Sequence, residues 1–200
     1  MPAANPIAPP DALFKTTVLA VAGAEARANI NRTDNQDRVT EYLALLGLPF
    51  EQGGVPTPFC AAGLTWATSK AYCDLNGIPY TDANRLDVLK SVLPEISKRY
   101  FKPSAGCPDI LNDARTRGTL LDRSAVAQPG YLVFLNFDGN TSFAAHMGIV
   151  ETAVGTTLHT IEFNTSGFSG QSHVNGGFVA RKVRPPQFVV GFVRTYPDAQ

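Results

Sequence analysis

The sequence lacks any apolar run near the ~20 residues that a helix needs to cross a bilayer. It also lacks an excess of either charge, since 17 Lys plus Arg balance 17 Asp plus Glu. Proteins that bind nucleic acid or anionic membranes rely on a basic surface, so we expect neither kind of partner. With three cysteines and no CxxC pair, the sequence predicts neither a disulfide framework nor a structural zinc site.

The beginning of the chain is crowded with proline. Four prolines fall within the first ten residues and predict a flexible arm over residues 1–11. The apolar stretch Val18–Ala26 is similar to the end of a signal peptide, but it is short and only one basic residue, Lys15, precedes it. We therefore expect a first helix over 12–28 instead. A protein that acts outside the cytoplasm would then need an export route other than an obvious signal in this sequence.

The first half of the chain carries a helical pattern. The whole chain has 200 residues, 44% of them hydrophobic, which is enough for a single globular domain, and we place that domain at 12–200. Apolar residues at helical spacing predict a helix from an Asp34 cap to Gly47, and another over about 59–75. A further segment over 81–100 is predicted to be kinked or divided at its proline, Pro94.

From Gly130 onward the pattern changes to β-branched and aromatic runs separated by turn residues. These runs predict five strands, over 131–137, 144–153, 157–164, 177–183 and 188–196. Short connections favour antiparallel pairing, because parallel strands need long crossovers. Helices followed by strands predict an α+β domain. The stretch between the two halves, 102–129, is predicted to be irregular.

Cys60 lies where a Pro-rich loop meets the start of a predicted helix. The free N–H groups and the dipole of a helix N-terminus stabilise a thiolate, and the same donors can hold an oxyanion. Position alone leaves a buried structural cysteine as an equal alternative. Cys73 follows Trp66 at helical spacing and is predicted to pack in the core. Cys107, in the irregular stretch, is expected to be structural or incidental, and a Cys73–Cys107 disulfide stays open.

Three histidines are candidates for the base that a cysteine nucleophile requires. His146 lies in a predicted strand, and Gly148 on the same face leaves room for a substrate or a helix to approach. His159 shares a face with apolar residues and is predicted to be structural. His173 lies in a Gly/Ser/Asn-rich stretch and is predicted to be an exposed loop residue. We therefore favour His146.

A third polar group usually orients the imidazole of such a pair and stabilises its charged form. Glu162 and Asn164 are both suitable, because they share one face of the strand that follows His146. A solvated carboxylate on the sheet surface is the simpler interpretation of Glu162 taken alone. The residues by themselves do not choose between Glu162 and Asn164.

Four segments occur in an order that matches a known family: Pro58–Ala62 (PFCAA), Pro129–Phe134 (PGYLVF), His146–Val150 (HMGIV) and Glu162–Ser166 (EFNTS). Together they resemble the CHAP domains, cysteine amidohydrolases and peptidases of the papain-like/NlpC-P60 superfamily that cut bacterial peptidoglycan. The resemblance covers about residues 35–195. It departs from the family pattern at Tyr131, where an acidic residue is usual, and at Phe59, where tryptophan is usual.

The resemblance implies a papain-like fold, with N-terminal helices packed on a five- to six-stranded antiparallel sheet. It implies that Cys60 is the nucleophile, His146 the base and Glu162 or Asn164 the orienting group, while Phe59 and Trp66 contact the substrate. No cofactor is implied. Some members bind calcium through an acidic loop before the cysteine. Here that loop has one carboxylate, Glu51, too few for a hard cation, so we expect no metal.

The implied activity is peptidoglycan hydrolysis through a thioester, as an N-acetylmuramoyl-L-alanine amidase or a cross-link endopeptidase. The implied place of action is the bacterial cell wall, as a monomeric lysin, a remodelling enzyme or an antibacterial effector, the last with a dedicated inhibitor protein. Two alternatives remain open. One is the same chemistry on a different amide substrate, and the other is a non-catalytic member that binds the cell wall.

Overall fold

The computed structural model describes residues 11–138, 142–167 and 176–194. The predicted arm over 1–11, except for its last residue, and the predicted loop residue His173 lie outside these ranges. So do the last two residues of the strand predicted over 188–196. Among the described residues, no helix is long and apolar enough to span a membrane.

Six helices lie within the described residues: α1 (Asp11–Arg27), α2 (Gln36–Leu45), α3 (Cys60–Leu75), α4 (Arg85–Ser91), α5 (Leu93–Arg99) and α6 (Cys107–Thr116). The predicted break at Pro94 separates α4 from α5, where proline occupies the first turn of the second helix and needs no N–H partner. The cap of α2 is Asn35 and not the predicted Asp34, whose carboxylate accepts a hydrogen bond from Asn31 Nδ2 at 2.9 Å.

Eight strands lie within the described ranges, numbered in chain order: β1 (Glu51–Gln52), β2 (Val55–Pro56), β3 (Leu120–Asp122), β4 (Leu132–Leu135), β5 (His146–Val154), β6 (Thr157–Thr165), β7 (Phe178–Arg184) and β8 (Val189–Val193). The first two form a hairpin before α3. The other six form one antiparallel sheet in the order β3-β8-β4-β5-β6-β7. An α+β fold with helices and a six-stranded antiparallel sheet is therefore confirmed.

The stretch 102–129 was predicted to be irregular, and that prediction is wrong. It contains α6, which buries Ile110 and Leu111, and the edge strand β3. Gly106 and Pro108 at its start and Gly118 after its end are residues typical of loops, and they led to the irregular prediction. Strand β3 has only three residues, too few to show an alternation of polar and apolar side chains. It forms because it pairs with β8, which is distant in the sequence.

Helix α3 is the central element, in contact with α1, α2, α4, α5, β5 and β6. It approaches β6 closely because residue 63 is glycine, and a Cβ atom there would collide with the ring of Phe163. Nearly all of its side chains from Cys60 to Cys73 are buried. The packing fixes the first turn of α3 against the strands that carry His146 and Glu162.

Candidate active site

Cys60 is the first residue of α3, as predicted, and its side chain is 5% exposed. The residue before it, Phe59, caps the helix through a hydrogen bond from Gly63 N to Phe59 O at 2.8 Å. The pKa of the Cys60 thiol is lowered well below its usual value. A hydrogen bond from Cys107 contributes most to the lowering, and His146 and the backbone N–H of Ala61 add to it. Together these three outweigh burial, which would raise the pKa.

His146 begins β5 and is fully buried. Its Nε2 atom donates to Glu162 Oε2 at 3.0 Å, which leaves Nδ1 as the remaining ring nitrogen. Nδ1 makes no hydrogen bond of ordinary geometry within the described part of the chain. The imidazole nevertheless lies near enough to Cys60 for each group to shift the pKa of the other. Burial would lower the pKa of His146, but Cys60 and Glu162 raise it to about 9.

Glu162 is a buried carboxylate surrounded by donors. Besides His146, it accepts from Thr160 Oγ1 at 2.6 Å and from Arg184, whose Nε and Nη2 atoms lie 2.8 and 2.5 Å from its two oxygens. Burial would raise the pKa of Glu162, but the hydrogen bonds from Arg184 and His146 outweigh it and lower the pKa well below the usual range. The carboxylate is therefore held ionised beside the imidazole.

Gly148 has a different use from the one predicted. It pairs with Glu162 across β5 and β6, and a Cβ atom at residue 148 would lie 2.7 Å from Glu162 Cγ. The space that the missing side chain leaves is therefore taken by the Glu162 side chain. The atoms nearest to that position belong to β6, so the glycine makes room first of all for Glu162.

Of the two candidates for the orienting group, Glu162 forms the hydrogen bond to His146. The pairing of β6 with β7 shifts between Glu162 and Thr165, and Asn164 adopts a positive φ of 57° within that irregular stretch. Alternation along the strand is thereby interrupted. The Asn164 side chain accepts a hydrogen bond from Arg32 Nη2 at 3.4 Å.

Phe59 and Trp66 were expected to contact the substrate, and the structure corrects this expectation. Both side chains are fully buried. Phe59 lies beneath the guanidinium of Arg32, 5.2 Å from the ring centre, and Trp66 donates through Nε1 to Glu41 at 3.0 Å. Because α3 is covered by four helices and two strands, aromatic rings along it are core residues.

Arg184 is a member of the site that sequence reasoning missed. It is the last residue of β7, is buried, and lies with its guanidinium carbon 4.7 Å from the ring centre of Phe137. Nothing in the local pattern marks it, since β7 carries three basic residues, Arg181, Lys182 and Arg184. The register of β6 and β7 places Leu158 opposite Arg184 and Ala180 opposite Glu162, so the long arginine side chain has to extend along the sheet to reach Glu162.

Cys107 was expected to be structural or incidental, and its position changes that interpretation. It is the first residue of α6, and its Sγ atom lies 3.4 Å from Cys60 Sγ. Its contact with Cys60, together with burial, raises the pKa of the Cys107 thiol well above its usual value, so Cys107 retains its proton and can donate it to the Cys60 sulfur. The three cysteines are free, so the pairing of Cys73 with Cys107 is absent.

The other sequence candidates lie outside this group. Cys73 is a fully buried residue of α3, as predicted, and burial raises its pKa to about 11. His159 is half-buried on β6 and pairs with Thr152 and Val183. Within residues 11–138, 142–167 and 176–194, no group of three or more His, Cys, Asp or Glu side chains is arranged to hold a metal ion.

No family model matches the chain, and no curated protein matches it. Among solved structures it is similar to one described as "The crystal structure of Ly7917", with a TM-score of 0.43 and 15% sequence identity. The alignment covers 91% of this chain and 62% of that one, so this chain spans less than two thirds of that protein's length. A likeness at this level supports no functional conclusion, and the chemistry has to be argued from the site.

Proposed function

We propose that this protein is a cysteine-dependent hydrolase that cleaves amide bonds of bacterial peptidoglycan through a thioester intermediate. The observation that carries the proposal is a buried group in which hydrogen bonds join His146, Glu162 and Arg184, and Cys60 lies near enough to His146 for the two to shift each other's pKa. It contains a nucleophile at a helix N-terminus, a base beside it and a carboxylate that orients the base, which are the three parts that covalent acyl transfer requires.

The resting state of the site is a thiolate–imidazolium pair. The pKa of Cys60 is lowered and that of His146 is raised to about 9, so at neutral pH the proton resides on the imidazole. The thiolate attacks an amide carbonyl, and backbone N–H groups at the start of α3 hold the resulting oxyanion. The imidazolium then protonates the leaving amine through Nδ1, the nitrogen that Glu162 does not engage.

Hydrolysis of the thioester uses the same groups in reverse. Neutral His146 takes a proton from water, the hydroxide attacks the thioester carbonyl, and Cys60 leaves as a thiolate. Glu162 stabilises the imidazolium throughout without taking its proton, because Arg184 holds the carboxylate ionised. Arg184 acts through Glu162 and is therefore a positioning residue.

The choice of substrate comes from the four motif segments that resemble the CHAP domains. They also support a papain-like version of the α+β fold and action at the bacterial cell wall. Within peptidoglycan we retain both the sugar-to-peptide amide and the peptide cross-link as targets. A lysin, a wall-remodelling enzyme and an antibacterial effector with its own inhibitor protein all fit this activity.

Digestion of purified sacculi, with mass identification of the products, tests the proposal. We expect the wild-type protein to release muropeptide fragments, Cys60→Ala to release none, and both to give the same circular dichroism spectrum. Cys73→Ala is the matched control, because it removes a buried thiol from the same helix and leaves the site intact. Undiminished release by Cys60→Ala would contradict the proposal.

Two further outcomes separate the alternatives. Sacculi left intact by a protein that still cleaves a peptide amide in a Cys60-dependent way would assign the chemistry to another substrate. A Cys60 thiol that does not react with iodoacetamide at neutral pH would favour a non-catalytic protein that binds the cell wall.

A further inference from the structure

Two cysteine sulfurs meet in the site, and the proposed mechanism uses one of them. Cys60 begins α3 and Cys107 begins α6, 47 residues further along the chain, with their Sγ atoms 3.4 Å apart. Both side chains are buried, at 5% and 3% exposure. Packing, and not sequence proximity, therefore places the second thiol against the nucleophile.

We propose that Cys60 and Cys107 form an oxidation site, in which a hydroperoxide converts the two thiols to a reversible disulfide. That the disulfide also stops hydrolysis rests on the proposed function, because it occupies the proposed nucleophile. A disulfide needs an S–S distance of about 2.05 Å, so the two sulfurs have to approach by about 1.4 Å from their present separation.

The first step oxidises Cys60. Its thiolate attacks the terminal oxygen of the peroxide, the S–O bond forms as the O–O bond breaks, and two electrons pass from sulfur to the peroxide. The alkoxide or hydroxide that leaves takes the proton from the His146 imidazolium. The products are a sulfenic acid on Cys60 and an alcohol or water.

The second step uses Cys107. Its sulfur attacks the Cys60 sulfur, the S–S bond forms as the S–O bond breaks, and the leaving hydroxide takes the Cys107 proton to become water. Overall, two thiols and one peroxide give one disulfide, one water and one alcohol or second water. A dithiol reductant reverses the change by thiol–disulfide exchange.

The two thiols suit their different parts. The lowered pKa of Cys60 makes it the thiol that meets the oxidant, since the thiolate is the reactive form. Cys107 is in direct contact, so the sulfenic acid meets a thiol before a second peroxide can carry it to sulfinic acid. Cys73 lies in the same helix with a pKa of about 11 and is the comparison thiol.

To test the proposal, the full-length protein is treated with hydrogen peroxide and two quantities are measured. The first is the peptide map without reduction, in which we expect a Cys60–Cys107 linked peptide that lacks two hydrogens and disappears with dithiothreitol. The second is release of fragments from sacculi, which we expect to be lost with peroxide and recovered with dithiothreitol. In Cys107→Ser we expect sulfinic and sulfonic acid on Cys60 and no recovery, while Cys73→Ala behaves as the wild type does.

The peptide map tests the oxidation site independently of activity. Absence of the linked peptide from peroxide-treated wild-type protein would overturn the inference, and it requires no variant to fold. So would recovery of Cys107→Ser as complete as that of the wild type after prolonged oxidation. If the linked peptide forms but hydrolysis persists, the oxidation site stands and the proposed role of Cys60 as nucleophile fails.

Discussion

Two glutamates in this fold are surrounded in nearly the same way and differ in what lies beyond them. Glu41, on α2, accepts hydrogen bonds from Trp66 Nε1 at 3.0 Å and from Arg85 at 2.6 and 2.8 Å. Glu162, on β6, accepts from His146 Nε2 at 3.0 Å and from Arg184 at 2.8 and 2.5 Å. Each carboxylate therefore joins an aromatic N–H group to an arginine.

The rings make the difference. The indole of Trp66 has a single nitrogen that only donates, and the ring is enclosed in the core beside Arg38. The imidazole of His146 has a second nitrogen that changes protonation near neutral pH, and it lies near the Cys60 sulfur. We infer that the Glu41 cluster fixes α2, α3 and α4 together, whereas the Glu162 cluster adds proton transfer to the same arrangement.

The ring variants should show the largest contrast. We expect His146→Gln to reduce kcat by about 10⁴-fold or more, because the base is removed from a group that acts as a unit. Trp66→Phe should leave kcat per folded molecule unchanged and lower the free energy of unfolding by about 1–3 kcal/mol, since Glu41 loses a buried donor. Steady-state kinetics and urea unfolding measure both. Equal kinetic effects in the two variants would contradict the comparison.

The carboxylate variants should give the next largest effect. Glu162→Gln removes the charge that stabilises the imidazolium. We expect kcat to fall by about 10³-fold, as when the carboxylate of a catalytic triad is replaced by an amide. Glu41→Gln should change unfolding and not kcat. The same two assays read the result. A Glu162→Gln enzyme with wild-type kcat would assign the orienting role elsewhere, and Asn164→Ala would then be the next variant to measure.

The pH dependence should show a plateau that ends on the alkaline side near 9. Above that pH the imidazolium loses its proton, and kcat/KM should fall by about tenfold per pH unit. The raised pKa of folded His146 also means that its contribution to stability is full below the unfolded value of about 6.5 and is lost as pH rises through about 9. Rates from pH 5 to 10.5 check this, and a fall that begins below pH 7 would contradict it.

The arginine variants should give the smallest kinetic effect. Arg184→Met leaves Glu162 buried without its cation, so we expect a several-fold loss of kcat and about 3–5 kcal/mol less stability. The depressed pKa of Glu162 should rise in this variant. The ionised carboxylate contributes its full stability above its unfolded pKa, and on acidification the variant should lose that contribution at a higher pH than the wild type does. Arg85→Met, at a site more open to water, should cost about 1 kcal/mol and leave kcat unchanged. Equal stability losses in the two variants would argue against the difference in burial.

The parts of the site that the sequence predicted correctly are those that local structure determines. Cys60 begins a helix because a Pro-rich loop ends there. His146 and Glu162 lie on paired neighbouring strands, as the short connection between those strands predicted. The parts that it missed depend on distant packing. Arg184 reaches Glu162 from a position opposite Leu158 on the neighbouring strand, and Cys107 reaches Cys60 through the packing of a helix that the local pattern did not reveal.

Aromatic side chains were misjudged for a related reason. Motif position alone suggested that Phe59 and Trp66 face the substrate, whereas their exposure depends on which faces of α3 other elements cover. The sequence left the choice between Glu162 and Asn164 open, because alternation along a regular strand does not anticipate the irregular pairing after Glu162.

The measurement that tests the account most directly is the rate of alkylation of Cys60 by iodoacetamide as a function of pH, with the modified residue located by peptide mapping. The thiolate–imidazolium pair predicts a rate that is already at its plateau at pH 7 and stays there to well below neutrality. A rate that instead rises by about tenfold per pH unit up to about 8.5, as for an ordinary thiol, would contradict the proposed nucleophile.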